Sequence, residues 1–225
     1  MEAATADKTQ LNEQPAWRRN RRHRFPKTDG AVFRGRQDGN SARLVVDIGC
    51  GTKKIPDAVG VDAIALPGVD VVHDLDCYPY PFATDSVDQI HISHVLEHLD
   101  DVIATMEELW RICKPGATVH VRVPHYTGSL AWKDPTHRRS FTSESFRYFG
   151  ENDYSYYSRA RFEVVSTRLR YFMGPDKTSL ISRQMVRAVQ WCIDRHPTFC
   201  ERYLAFLVGG IDEIQVSLKA IKATV

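Results

Sequence analysis

The stretch Leu44-Val45-Val46-Asp47-Ile48-Gly49-Cys50-Gly51 constrains this chain more than any other: an apolar run ends in an acid and then in two glycines one residue apart. The short run of branched apolar residues reads as a buried strand. The glycines supply a tight turn in which no side chain stands between the backbone and a ligand. A turn of this kind, at the carboxyl end of the first parallel strand, is where a doubly wound α/β sheet binds a nucleotide-like molecule. Two further apolar segments end in acids, Gly60-Val61-Asp62 and Val69-Asp70-Val71-Val72-His73-Asp74-Leu75. An acid after the second strand is placed to accept hydrogen bonds from ribose hydroxyls, and the next acid can meet an adenine amino group. A nicotinamide fingerprint would need a third glycine near position 54, where Lys53-Lys54 stand, so a dehydrogenase is disfavoured.

Composition narrows the class. The chain has 225 residues, 43% hydrophobic and 26% charged, as expected for one globular domain with appendages. Its five cysteines are scattered without paired spacing, against a disulfide framework or zinc knuckle and for a reducing, cytoplasmic home. No apolar run approaches the ~18 residues that span a bilayer, so no membrane partner is expected. The net charge of +2 is uneven: residues 1–43 carry ten Lys/Arg against five Asp/Glu, which leaves the rest slightly acidic. The basic run Trp17-Arg18-Arg19-Asn20-Arg21-Arg22-His23-Arg24-Phe25-Pro26 is read as part of an arm or lid over residues 1–42. Its alternative role is contact with phosphate on RNA.

The spacing from Gly51 to Gly60, and again across Ala63-Ile64-Ala65-Leu66-Pro67-Gly68, is too short for full crossover helices. Val87-Asp88-Gln89-Ile90-His91-Ile92-Ser93 predicts a fourth strand, Asp100 to Cys113 a helix stopped by Lys114-Pro115-Gly116, and Ala117 to Pro124 a fifth strand. A short helix over Ser143 to Phe149, a strand over Arg161 to Phe172 and a helical cap over about 173–208 follow. Ile211 to Ile221 returns to period two as an antiparallel last strand.

With these pieces in order, and with Pro81-Phe82-Ala83-Thr84-Asp85-Ser86-Val87-Asp88, Ser93-His94-Val95-Leu96-Glu97-His98-Leu99 and Leu109-Trp110-Arg111-Ile112-Cys113-Lys114-Pro115-Gly116 between them, the chain resembles the class I S-adenosylmethionine-dependent methyltransferases of the type 11 group. The resemblance covers Arg43 to Pro124 and continues loosely through Asp134-Pro135-Thr136-His137. It implies a Rossmann-like, seven-stranded doubly wound sheet over 43–225, with shortened helices after the first two strands and the last strand antiparallel. It also implies S-adenosylmethionine as cofactor, with Asp47, Gly49 and Gly51 holding its methionine part, Asp62 the ribose, Asp74 and Leu75 the adenine, and His94 lining the wall.

Methyl transfer needs an in-line acceptor lone pair and, for a hydroxyl, a base. His125 and His137 are the candidate bases, because each follows the fifth strand and imidazole titrates near neutrality. Tyr126, Arg138 and Tyr157 are candidate acceptor contacts, and Tyr154 and Tyr156 lie beside the last of these. The expected reaction is methylation of a small molecule, with a hydroxyl favoured over nitrogen or carbon, in specialised metabolism or glycan tailoring. RNA or protein methylation is the alternative. His94-Val95-Leu96-Glu97-His98 also has the H-x-x-E-H spacing of a zinc hydrolase, but its place after a fourth parallel strand argues against that use, so no metal set is assigned. The apolar helices after Ser179 offer a homodimer surface.

Overall fold

The computed structural model describes residues 43–150, 155–171 and 180–222. The basic arm, Tyr154 and the first residues of the cap lie outside that set. Seven strands form one sheet: β1 (Val45–Ile48), β2 (Val59–Asp62), β3 (Val71–Val72), β4 (Val87–Ser93), β5 (Cys113–Pro124), β6 (Phe162–Arg170) and β7 (Glu213–Ala220). Their order is β3-β2-β1-β4-β5-β7-β6. β1 pairs in parallel with both β2 and β4, and β7 lies antiparallel between β5 and β6. The strand order therefore reverses between β1 and β4, which leaves a crevice at their carboxyl ends.

Among the described residues one helix of full length serves the parallel half: α1 (Val102–Ile112), between β4 and β5. Asp101 starts it by accepting from the Ala104 N–H at 3.0 Å, and Val102, Met106, Leu109 and Ile112 turn one apolar stripe into the core. That stripe meets Ile90, Ile92, Val119 and Val121, all from the apolar face of β4 and β5. The alternate residues Gln89, His91, Thr118 and His120 are half-buried on the other face. The expected stop at Lys114-Pro115-Gly116 comes earlier. The chain turns extended at Cys113, and the three residues lie inside β5 where its register with β4 jumps from Val87↔Cys113 to Gln89↔Thr118. A proline without an N–H fits such an irregularity better than a paired position.

The helices expected after β1 and β2 are not shortened but absent among the described residues. From Gly49 to Ala58 the backbone is closed by local turns, Lys53 N to Cys50 O at 3.2 Å and Ala58 N to Ile55 O at 3.2 Å, and by Asp47 Oδ2 accepting from the Ile55 N–H at 2.9 Å. The long link from β3 to β4 is likewise a loop, clamped onto α1 by Arg111. Its guanidinium donates to the carbonyls of Tyr80 at 3.1 Å and Phe82 at 3.0 Å and pairs with Glu108, whose Oε2 accepts from the Tyr80 N–H at 2.9 Å. Tyr80 and Phe82 are thereby driven into the core that a helix would have filled.

The cap comprises α3 (Leu180–Arg195) and a composite helix in which Pro197–Phe199 and Ala205–Leu207 flank a π-helical turn, Cys200–Leu204. Before it, a short helix α2 (Leu130–Lys133) and a 3₁₀ turn (Ser145–Phe149) follow β5.

Candidate active site

The turn after β1 is shaped by what its glycines avoid. Gly49 has φ +68°, and a Cβ placed on it would stand 2.2 Å from Val95 Cγ2, so the loop after β4 closes directly on the turn. Gly51, at φ +52°, would meet nothing within 4 Å: its backbone faces open space. The Gly51 N–H donates to Asp62 Oδ2 at 2.9 Å, which ties the turn to the end of β2, and Asp62 Oδ1 accepts from the Ile64 N–H at 3.1 Å. Asp47 is nearly buried. Burial raises its carboxyl, and the Ile55 N–H and the Lys54 charge offset that only in part. Asp74 Oδ1 accepts from the Asp76 N–H at 3.0 Å, and Leu75 beside it is buried with its carbonyl taken by the Tyr80 hydroxyl at 2.9 Å. These groups fit a ligand with a nucleoside end. Asp62 has further lone pairs for a diol, and a glycine turn opens where any Cβ would project into the crevice.

On the far side of the crevice β4 runs into His94, whose φ is +55°. Its Nε2 lies 2.9 Å from Glu213 Oε2 and its Nδ1 3.3 Å from Glu97 Oε1. Those two carboxylates, Glu213 first, hold the imidazole well above its usual value, at about 9. Glu213 is fully buried at the start of β7. Burial would raise its carboxyl, but the bonds from His94 and Gln215 outweigh burial and leave it lowered. A cleft of about 480 Å³ opens here, lined by His94, Glu97, His98, Leu130, Lys133 and His137, with Pro124, Asp134 and Pro135 completing it.

His137 lines this cleft. His125 does not. It is fully buried, with Nδ1 2.8 Å from Thr127 Oγ1 and Nε2 3.0 Å from Glu201 Oε1, so both ring nitrogens are engaged away from the cleft. Glu201, on the π-helical turn, also accepts from the Ser143 N–H at 3.0 Å and from the Ser143 hydroxyl, so the His125 cluster pins the cap to the loop after β5. The three expected acceptor contacts also stand elsewhere. Arg138 is spent on an ion pair with Asp100, Tyr126 packs on His125 with ring centres 4.7 Å apart, and Tyr157 is exposed against Tyr156. None of the three lines the cleft. Lys133, which lines the cleft, and Glu213, which reaches it only through His94, are groups that sequence reasoning missed. Glu213 carried no signal, because it shares the polar side of β7 with Gln215, Ser217 and Lys219 and is buried only by what the fold lays over it.

The sheet order and a crevice built on glycines and strand-end acids define the class I methyltransferase fold. Residues 14–165 match the family model described as a methyltransferase domain, more than half of the chain. The chain belongs to that family and is a class I S-adenosylmethionine-dependent methyltransferase. Similar solved structures include a SAM-dependent methyltransferase from Archaeoglobus fulgidus, at 19% identity and TM-score 0.50 over 80% of this chain and 86% of that one. The YcgJ protein from Bacillus subtilis follows at 16% and 0.48 over 81% and 93%. An S-adenosylmethionine-dependent methyltransferase from Mesorhizobium loti stands at 16% and 0.46 over 78% and 90%. No curated protein matches in sequence. Among the described residues no helix is long and apolar enough to cross a membrane.

Proposed function

We propose that the enzyme methylates a small molecule, a hydroxyl being the favoured acceptor, in the cleft between His94 and His137. The observation that carries this is the cleft itself. At about 480 Å³ it has the size of a small-molecule site, and it opens at the ends of β4 and β5 beside the crevice. In this reading Asp47, Gly49 and Gly51 hold the methionine end of the cofactor, Asp62 the ribose, and Asp74 and Leu75 the adenine, while His94 walls the sulfonium side. The cofactor supplies an electrophilic methyl group, whose bond to sulfur breaks with the electron pair left on sulfur. The chain positions the acceptor oxygen and takes up its proton at the imidazole–carboxylate cluster of the cleft, where His137 replaces His125 as the group within reach. A glycan or specialised-metabolite acceptor suits the polar walls. The cap's exposed Trp191, Phe199, Phe206 and Leu207 support the homodimer reading.

Calorimetric titration with S-adenosylmethionine and S-adenosylhomocysteine tests the cofactor half. Micromolar binding is expected, weakened at least about tenfold in Asp62→Ala and Asp74→Ala, since each loses a charge-assisted hydrogen bond. Unchanged affinity in both variants refutes the assignment. The acceptor half is tested by deleting residues 1–42: a small-molecule enzyme keeps no salt-sensitive RNA binding to lose, whereas RNA binding that vanishes with the arm favours the alternative.

A further inference from the structure

The carboxylate of Glu97 is fully buried, and neither of its oxygens accepts a hydrogen bond among the described residues. Its polar neighbours are imidazoles: His94, with Nδ1 at 3.3 Å, whose one ring serves both Glu97 and Glu213, and His137 Nε2 at 3.9 Å, so two buried carboxylates face one close imidazole. A buried carboxylate is costly unless a cation or donors meet it.

Two rings beside it are set as metal ligands are set. His137 Nδ1 stands 3.0 Å from the Ala131 carbonyl, which can only accept, so in the neutral ring that nitrogen carries the proton and Nε2, 3.9 Å from Glu97 Oε1, keeps its lone pair. For His98 the same follows through a relay. The Thr136 hydroxyl gives its one proton to Asp134 Oδ1 at 2.7 Å, so it must accept from His98 Nδ1 at 2.9 Å, and His98 Nε2 is left as the lone-pair nitrogen. The two rings lie edge to face with centres 4.6 Å apart, and the ligand atoms of Glu97, His98 and His137 fall within 4.8 Å of one another. With bonds of about 2.1 Å, a tetrahedral set needs separations of about 3.4 Å, which side-chain rotations toward a common centre supply. Oxygen-bound or carbonyl-bound imidazoles of fixed tautomer are the usual outer support of such a site.

We propose that Glu97, His98 and His137 bind one divalent transition-metal ion at the cleft, with positions left open for an oxygen of the acceptor. Two imidazoles and one carboxylate suit zinc or ferrous iron rather than calcium or magnesium. The ligand set differs from the H-x-x-E-H reading of the sequence, because His94 is drawn to Glu213 and His137 comes in from the loop after β5. The role of the metal rests on the small-molecule reading above: an acceptor hydroxyl bound to the ion loses its proton to solvent near neutrality, and the oxygen keeps the electron pair that forms the bond to the methyl carbon. In the loaded enzyme His137 is then a ligand and the metal takes over the work of the base.

The test uses the full chain, stripped with chelator, checked by circular dichroism, and titrated with Zn²⁺ by calorimetry and with Co²⁺ by visible absorption. One ion per chain is expected at micromolar affinity or tighter, with Co²⁺ giving ligand-field bands. His98→Ala and His137→Ala should each weaken binding at least about 100-fold, and Asp134→Asn, which alters the acceptor of the Thr136 proton and removes a charge beside both rings, by about 10- to 100-fold. S-adenosylmethionine is titrated into the same samples. Folded protein that takes up no stoichiometric ion, or that binds it undiminished in both histidine variants, overturns the site. Metal bound as expected by a chain that does not bind S-adenosylmethionine upholds the site and overturns the methyl-transfer reading instead.

Discussion

Gly49→Ala should separate what the turn after β1 does for stability from what it does for the ligand. The new methyl would have to occupy a left-handed conformation at φ +68°, which costs about 1–2 kcal/mol in a residue with a Cβ. It would also stand 2.2 Å from Val95 Cγ2, well inside contact distance, and Val95 is itself buried. Forcing an extra methyl into packed surroundings adds about 1–3 kcal/mol. The sum, about 2–5 kcal/mol, is a large share of the roughly 5–15 kcal/mol that holds a domain together. Urea denaturation followed by circular dichroism reads it directly. Gly51→Ala is the control: its φ of +52° carries the conformational cost, but its Cβ meets nothing within 4 Å, so it should lose only about 1–2 kcal/mol while weakening S-adenosylmethionine. Adding Val95→Ala to Gly49→Ala should recover part of the loss, with a coupling of at least about 1 kcal/mol. A loss below about 1 kcal/mol for Gly49→Ala, or strict additivity in the double variant, would refute the close approach between this turn and the loop after β4.

Three more outcomes follow from particular contacts. Arg111→Ala should cost about 2–4 kcal/mol in the same urea assay, because it leaves two backbone carbonyls and Glu108 without their charged donor, whereas Arg111→Lys recovers little of a planar clamp. Glu201→Ala strips a buried imidazole of its acceptor and should cost about 3–5 kcal/mol, with proteolysis of the cap at 180–207 rising in parallel; an intact cap would count against its role as the pin. His91 is held down at about 4, by burial first and then by the charges of His120, Arg122 and Arg43. The unfolded chain therefore binds the extra proton first, so stability should fall as pH drops from about 6.5 through about 4, and His91→Gln should flatten that slope; an unchanged slope would show that another group sets it.

How much of this protein was legible in its sequence depends on how far apart the cooperating residues lie. β1 with its glycine turn, the whole of β4 and the stripe of α1 were readable, because each is fixed by neighbours within one or two turns of chain. Gly51 and Asp62 follow the same rule: they sit with Asp47 on one strand–turn–strand passage, and the Gly51 N–H donates to Asp62. The cleft was not readable. His125 and His137 look equivalent as histidines after a strand, yet the π-helical turn seals the first behind Glu201, and the loop bends the second into the cleft. Glu213 reaches His94 across 119 residues of sequence, and His98 meets Thr136 across 38. Periodicity reports only which face of its own element a residue takes. Which groups converge on a cleft is decided by how separate elements are laid against one another, and that belongs to the tertiary structure alone.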